Sequence, residues 1–174
     1  MAEATPDAVF RIFINADINR VWHELTKTGE AQGAVFNAWL HTTGLTPGGR
    51  IQMRTGTGKH VVVDGEVVTF EPPFLYVHTH KFTQYDDPVC QVSYELKPVG
   101  TGVEVTLRVI ALAAGTATAK NMRSGGTMIL DCLKAIAESG RPPLKIRLMY
   151  WLFDYLEFVL PARTRSEHWP LTRP

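Results

Sequence analysis

The chain has 174 residues, 45% of them hydrophobic and 20% charged, with a formal net charge of +1. These values are typical of one globular domain and give no basic surface that would attract nucleic acid or an anionic membrane. The first residues have neither the basic nor the apolar region of a signal peptide, so we expect a cytoplasmic protein. Cys90 and Cys132 are too few for a disulfide framework and are expected to be buried thiols.

The first predicted elements are a strand and two helices. Ala8–Ala16 mixes β-branched and aromatic residues and therefore predicts a strand. Apolar residues then recur at helical spacing, with Asp17 or Asn15 as a possible N-cap and Gly29 as the end of the helix. A second, short helix is predicted over Glu30–Phe36.

Five strands are predicted after a loop over residues 37–50. They correspond to RIQMRTG, HVVVDGEVVTFE, FLYVHTHKFT, VCQVSYELKPV and GVEVTLRVIALA. Apolar and polar residues alternate along the last two, so their apolar side chains should share one face of the sheet. The predicted inward residues are Cys90, Val92, Tyr94, Leu96, Val103, Val105, Leu107 and Val109. Such alternation predicts an antiparallel sheet with one covered face and one face in water.

A long helix is predicted to cover the inner face of this sheet. The segment AKNMRSGGTMILDCLKAIAESG places Met122, Ile129, Leu133 and Ile136 on one helical stripe. Gly140, followed by two prolines, should end the helix. The predicted order is β-α-α-β-β-β-β-β-α, in one domain over residues 1–140, followed by an extension over residues 141–174.

This order of elements, together with several short motifs, resembles the START-like helix-grip superfamily, also called SRPBCC or Bet v-like. The motifs are INADINRVWHEL, Trp39, Gly48-Gly49, Gly65 with VVTFEPPFLYVHT, the Gly100-Thr101-Gly102 corner and LDCLKAIAESG. The most similar branch is named for activators of the ATPase of the ninety-kilodalton heat-shock chaperone. The resemblance covers roughly Ala8–Gly140. It implies an α+β helix-grip fold, in which a curved antiparallel sheet wraps around a long C-terminal helix.

The resemblance also implies an apolar cavity between the sheet and the helix. Members of the superfamily bind lipids, sterols, polyketides or other hydrophobic small molecules; a minority catalyse cyclisation or hydrolysis, and others act through protein contacts. One departure from the family pattern concerns the long helix, where Gly125-Gly126 stands in place of the usual Gly-Trp pair. The missing indole implies free space there, or another side chain that fills it.

Six residues are candidate ligand contacts in such a cavity: Trp39, His78, His80, Tyr94, Gly126 and Ile129. His78 and His80 are two apart on a predicted strand and so share a face, where they suit hydrogen bonding to a ligand. A metal needs a further ligand, and no carboxylate lies in that segment. We therefore predict neither a metal site nor a cofactor.

The sequence favours a container for a hydrophobic small molecule, because it has no nucleophile elbow and no phosphate-loop motif. Two alternatives stay open. One is a cyclase- or hydrolase-type enzyme that uses polar cavity residues such as His78, His80 or Tyr94. The other is an interaction module that acts together with a chaperone.

The segment PLKIRLMYWLFDYLEFVLP, Pro143 to Pro161, is the most apolar stretch of the chain. Seventeen residues between prolines, four of them charged, do not suit a membrane span. The segment predicts an amphipathic helix whose polar stripe of Arg147, Tyr150, Asp154 and Glu157 faces solvent. Its apolar side, including Trp151, Leu152, Phe153 and Leu156, should be buried, either on its own domain or in a homodimer through residues 144–160. Trp169 is expected to hold the end of the chain on the surface.

Overall fold

A curled antiparallel sheet wrapped around one long helix forms the body of the protein, in a computed structural model that describes residues 7–172. The strands are β1 Ala8–Ile14, β2 Ala31–Gln32, β3 Ala38–Thr42, β4 Arg50–Arg54, β5 Val61–Glu71, β6 Leu75–Phe82, β7 Cys90–Val99 and β8 Gly102–Ile110. The helices are α1 Ile18–Thr26, α2 Ala117–Ser139 and α3 Leu144–Tyr155, followed by three short 3-10 turns. The strand order is β1-β8-β7-β6-β5-β4-β3-β2, which confirms the predicted fold class.

The inner face of the sheet packs on α2 as the alternation predicts. All eight residues predicted to point inward on β7 and β8 are buried, and so is the apolar stripe of α2. The helix begins at Thr116, whose side chain accepts a hydrogen bond from the backbone N–H of Ala119, and it ends at Gly140 in the left-handed conformation with φ 83°. A side-chain cap and a left-handed glycine satisfy backbone groups at the two ends.

The prediction of a helix over Glu30–Phe36 is wrong, and the segment predicted as the loop after it contains a strand. The chain forms β2, a turn and then β3, so the sheet has two more strands than predicted. Phe36 and Asn37 have φ of 53° and 57°, and a left-handed backbone does not continue a right-handed helix. The fully buried side-chain amide of Gln32 donates to the carbonyls of Leu25 and Lys27 at the end of α1. It therefore satisfies carbonyls of α1 that have no partner within the helix.

The placement of α3 also differs from the prediction for a single chain. Trp151, Leu152 and Phe153 are 64%, 45% and 49% exposed, and Leu156 is exposed as well. Tyr150, predicted to face solvent, is instead the buried residue of the helix. Its hydroxyl donates to the carbonyl of Gly33 at 2.9 Å and lies near the Cys132 thiol. The helix is therefore attached through the Tyr150 hydroxyl, which bonds to the turn after β2, whereas Arg147 and Asp154 of the polar stripe are exposed as predicted.

The C-terminal end of the chain returns to the β4–β5 hairpin. The backbone N–H of Ser166 donates to the carbonyl of Lys59, and His60 pairs with Arg165 in an isolated β-bridge. The Trp169 indole donates to the carbonyl of Arg163 at 2.7 Å, and its own carbonyl accepts from Gln52 on β4. Trp169 thus holds the end of the chain as predicted.

Candidate ligand-binding cavity

A cavity of about 760 Å³ lies between the inner face of the sheet and α2. Its deep walls come from strands β4 to β8, and its helical wall comes from α2. The mouth is bordered by the turn before β3 and by the chain from Phe153 to Thr164. The apolar lining includes Val63, Phe82, Val92, Leu107, Val109, Met122 and Met128.

Five of the six candidate contacts line this cavity: His78, His80, Tyr94, Gly126 and Ile129. Trp39 does not. It stands between the buried residues Ala38 and Leu40 of β3, so strand alternation turns its indole to the outer face of the sheet. Its Nε1 atom lies near Gly56 in the β4–β5 turn.

A row of rings follows the inner face of β6 into the cavity. Tyr76, His78, His80 and Phe82 alternate inward, and neighbouring ring centroids lie 5.0, 5.9 and 4.7 Å apart. Tyr94 of the next strand lies nearly parallel to His78, at 6.5 Å between centroids. The planes of His78 and His80 are tilted by 36°, and Phe82 stands edge-on to His80, so the wall is aromatic and contains the polar atoms of two imidazoles.

The two imidazoles differ in how their nitrogens are satisfied. Nδ1 of His78 lies 2.9 Å from the carbonyl oxygen of Thr79. Because a carbonyl only accepts, Nδ1 carries the proton, and Nε2 is the acceptor of the neutral ring. His80 is only 8% exposed, and neither of its ring nitrogens has a partner among the described residues. Buried polar groups normally have partners, so His80 is an exception that requires an explanation.

Burial also keeps this wall uncharged. Desolvation lowers the pKa of His78 to about 4, against the smaller opposing effect of its hydrogen bond to Thr79. Desolvation, and then the neighbouring His78, lowers the pKa of His80 to about 3. Burial raises the pKa of the Tyr94 hydroxyl and raises that of the Cys90 thiol to about 11. All four groups are therefore neutral at pH 7.

The glycine pair of α2 is explained by close packing as well as by space. A Cβ atom at Gly126 would overlap the ring of Phe10 on β1, so Phe10 occupies the room that the missing family indole leaves. A tryptophan at this position would displace Phe10, which corrects the expectation that it would simply fill the cavity. A Cβ atom at Gly125 would meet Phe36 at an ordinary 3.5 Å, at the mouth.

Hydrogen bonds attach the C-terminal segment to the mouth of the cavity. The Glu157 carboxylate accepts from the hydroxyls of Thr55 and Thr57 at 2.5 and 2.6 Å. Farther along, the Arg163 guanidinium forms a two-pronged ion pair with Asp86. None of the predicted site residues lies in this segment, because its apolar pattern indicated burial and gave no sign of these bonds.

Metal-ligand clusters and membrane-spanning helices are not found among residues 7–172. Between residues 7 and 172, no three or more His, Cys, Asp or Glu side chains are grouped as a metal site requires. Over the same range, none of the helices combines the length and the apolar character needed to cross a membrane.

The fold and its cavity define the helix-grip class, and solved structures with this architecture are similar to the chain. CalU16 from Micromonospora echinospora is 18% identical with a TM-score of 0.62, over 91% of this chain and 93% of its own. The Aha1 dimer from Colwellia psychrerythraea is also 18% identical with a TM-score of 0.62, over 78% of this chain and 98% of its own. DynU16, from the dynemicin biosynthetic locus, is 19% identical with a TM-score of 0.63, over 79% of this chain and 49% of its own.

The chain belongs to the family described as activator of Hsp90 ATPase homolog 1-like protein, which matches residues 3–138. This match confirms the resemblance seen in the sequence. No curated protein matches the chain significantly. The family match stops just before the end of α2, whereas the CalU16 match covers so much of the chain that it must include part of residues 141–174.

Proposed function

We propose that this protein binds a hydrophobic small molecule in the cavity between the sheet and α2. The observation that carries the proposal is the cavity of about 760 Å³ inside a domain whose other core residues are packed. Protein interiors are close-packed and seldom keep such space without a use, and small-molecule sites typically measure about 300–1,000 Å³. The predominantly apolar lining favours a hydrophobic occupant.

Binding is favoured over catalysis by the state of the two histidines. A general base works best when its pKa lies near the operating pH, whereas His78 and His80 have pKa values of about 4 and about 3. Neutral imidazoles of such low basicity are suited to hydrogen bonding in a binding site. An enzyme of cyclase or hydrolase type would need a different base, and turnover of a bound ligand would reveal one.

The test is titration with a neutral fluorescent probe, N-phenyl-1-naphthylamine. Val92 lies in the deep wall, so Val92→Trp places a large ring in the cavity and should weaken probe binding at least tenfold. Glu95→Trp is the matched control, because Glu95 lies on the same strand and is exposed on the other face. Probe affinity that is unchanged in a folded Val92→Trp variant contradicts the proposal.

A second variant covers the case in which Val92→Trp fails to fold. Gly125→Leu adds a side chain at the mouth, where its Cβ meets Phe36 at ordinary contact distance. It should slow probe entry and weaken binding while the fold is kept. Native mass spectrometry of the gently purified protein would then give the mass of any natural ligand.

A further inference from the structure

We infer that the ligand is a neutral, planar aromatic molecule with a hydroxyl group, and that this hydroxyl hydrogen-bonds to the His78–His80 pair. The inference rests on the proposed function and names the class of ligand. Its first support is the position of the pair. Both imidazoles line the cavity on one strand face, with their centroids 5.9 Å apart.

The hydrogen-bonding pattern of the wall points to a group that both donates and accepts. His78 offers an acceptor at Nε2, because its Nδ1–H is used by the Thr79 carbonyl. His80 in its neutral form offers one N–H donor and one acceptor, and both lack partners among the described residues. A hydroxyl can donate to one imidazole and accept from the other. An ether can only accept, and a hydrocarbon can do neither.

The charge state of the wall favours a neutral ligand. Nε2 of His78 presents a lone pair, which repels an anion. The two histidines also lie in an apolar wall, where ions are poorly solvated. The low pKa values of both imidazoles give the same result, because neither supplies a positive charge at pH 7 to balance a carboxylate.

The shape of the wall favours a planar aromatic body. Tyr94 and His78, which both line the cavity, lie within 28° of parallel with their centroids 6.5 Å apart. Across the cavity, α2 contributes Met122 and Met128, whose flexible thioethers pack well against aromatic rings. A lining of aromatic rings and thioethers favours an aromatic ligand over an aliphatic one.

The test compares four small naphthalenes by displacement of the fluorescent probe: 2-naphthol, 2-methoxynaphthalene, naphthalene and 2-naphthoate. We expect 2-naphthol to bind at least tenfold tighter than 2-methoxynaphthalene, and naphthoate to bind most weakly. His80→Phe should abolish the preference for naphthol while keeping naphthalene affinity within about twofold. His41→Phe, a change on the outer side of β3, should keep the preference.

The outcomes separate this inference from the proposed function. If the probe and naphthalene bind but naphthol gains nothing over its methyl ether, the hydroxyl inference is wrong and the binding function stands. Tightest binding of naphthoate also overturns the inference. If neither the probe nor any naphthalene binds, both proposals fall. Should His80→Phe not fold, imidazole ¹⁵N signals of the wild-type protein supply the second readout, because naphthol should shift those of His78 and His80.

A separate observation concerns the outward face of α3 and the turn after it. Its large apolar side chains that do not line the cavity are exposed: Leu144, Leu148, Trp151, Leu152, Tyr155 and Phe158. At roughly 200 Å² for each side chain and their observed exposure, this face offers about 800 Å². A stable interface needs about 800 Å² from each partner. We propose that a second copy of the chain covers this face.

Charge placement agrees with a two-fold pairing of the helices. Exposed Lys145 and Arg147 lie near the start of α3, and exposed Asp154 lies near its end. In an antiparallel pair of identical helices, the basic start of one helix lies beside the acidic end of the other. The similar Aha1 protein from Colwellia psychrerythraea is likewise described as a dimer.

Light scattering of the full chain between 1 and 100 µM tests the second proposal. The wild-type protein should have the mass of a dimer, and Leu148→Glu/Trp151→Glu should have the mass of a monomer with unchanged probe affinity. Val9→Glu/Val99→Glu, which changes exposed apolar residues on the strands, should stay dimeric. A wild-type monomer throughout this range overturns the proposal, as does a monomer that floats with phosphatidylcholine or phosphatidylglycerol vesicles.

Discussion

Helices α2 and α3 follow each other directly in the chain but are attached to the protein in opposite ways. Helix α2 buries an apolar stripe on the sheet and has a side-chain cap at its start and a left-handed glycine at its end. Helix α3 has no side-chain cap, and of its residues only Tyr150 is buried. Most of its large apolar side chains are exposed, including Leu144, Leu148, Trp151 and Tyr155.

The difference shows which forces hold each part. The position of α2 is fixed by apolar burial, which stabilises a structure by about 25 cal/mol per Å². The C-terminal segment is held by hydrogen bonds of Tyr150, Glu157 and Ser166, each with a net value of about 1 kcal/mol, and by the exposed ion pair of Arg163 with Asp86. We therefore expect damage to the cavity wall to unfold the protein, and damage to the segment to release it locally.

Acid should produce the largest effect, and it should act on the cavity wall. Below pH 6.5 the unfolded chain protonates His78 and His80, whereas the folded protein leaves them neutral down to about pH 4 and about pH 3. The unfolded state thus binds more protons, and stability falls as the pH falls, by about 3 kcal/mol between pH 6.5 and 5 for the pair. Urea unfolding at several pH values measures this slope.

The neighbours of the histidines do not titrate in that range, because burial raises the pKa of Tyr94 and of Cys90. In the His78→Phe/His80→Phe variant, unfolding should therefore take up about two fewer protons. Its free energy of unfolding should depend less steeply on pH. A double variant with the slope of the wild-type protein would show that the imidazoles are protonated in the folded state.

A matched pair of leucine truncations compares the two helices directly. Leu133 of α2 is fully buried, so Leu133→Ala should lower the free energy of unfolding by about 2–5 kcal/mol. Leu148 of α3 is 65% exposed, so Leu148→Ala should change it by less than about 0.5 kcal/mol at protein concentrations where the chain is monomeric. An equal loss in both variants would mean that the outer face of α3 is buried in the monomer.

The glycine pair of α2 should respond with opposite signs. Gly126→Ala must displace the ring of Phe10 and should destabilise the protein by about 1–3 kcal/mol. Gly125→Ala meets only an ordinary contact and should stabilise the helix by up to about 1 kcal/mol. Chemical denaturation of both variants measures the difference. A stabilised Gly126→Ala variant would show that Phe10 does not press on the helix.

The smallest expected effect belongs to the Tyr150 hydroxyl. Tyr150→Phe removes its hydrogen bond to Gly33 and should cost about 1 kcal/mol. The change should appear as faster amide hydrogen exchange in α3, with α2 unaffected. Tyr155→Phe is the control, because Tyr155 is 67% exposed. Uniform exchange changes in both helices would mean that α3 unfolds together with the body.

Most of the body could be predicted from the sequence because its signals are local. Alternation on β7 and β8 and the stripe on α2 each state which side chains are inside, and the structure agrees. The short strands β2 and β3 gave no such signal. Their pairing depends on β4, and Phe36 carries no sequence mark of its left-handed backbone.

The candidate site was predictable in part for the same reason. Spacing placed His78 and His80 on one face, but only the structure shows that this face is the inner one and that His80 has no partner. Trp39 was selected by resemblance, and the pleat of β3 turns it outward. For α3, the apolar pattern was interpreted as burial, whereas the bonds of Tyr150 and Glu157 determine the orientation.

The volume of the cavity has a thermodynamic consequence for any occupant. At about 30 Å³ per molecule, 760 Å³ has room for on the order of 25 waters. A ligand that removes the apolar wall from contact with this water should bind with a negative heat-capacity change, of about 0.45 cal/mol/K for each Å² covered. Its binding enthalpy should therefore become more favourable on warming. Calorimetry at three temperatures would give the fraction of the wall that a ligand covers.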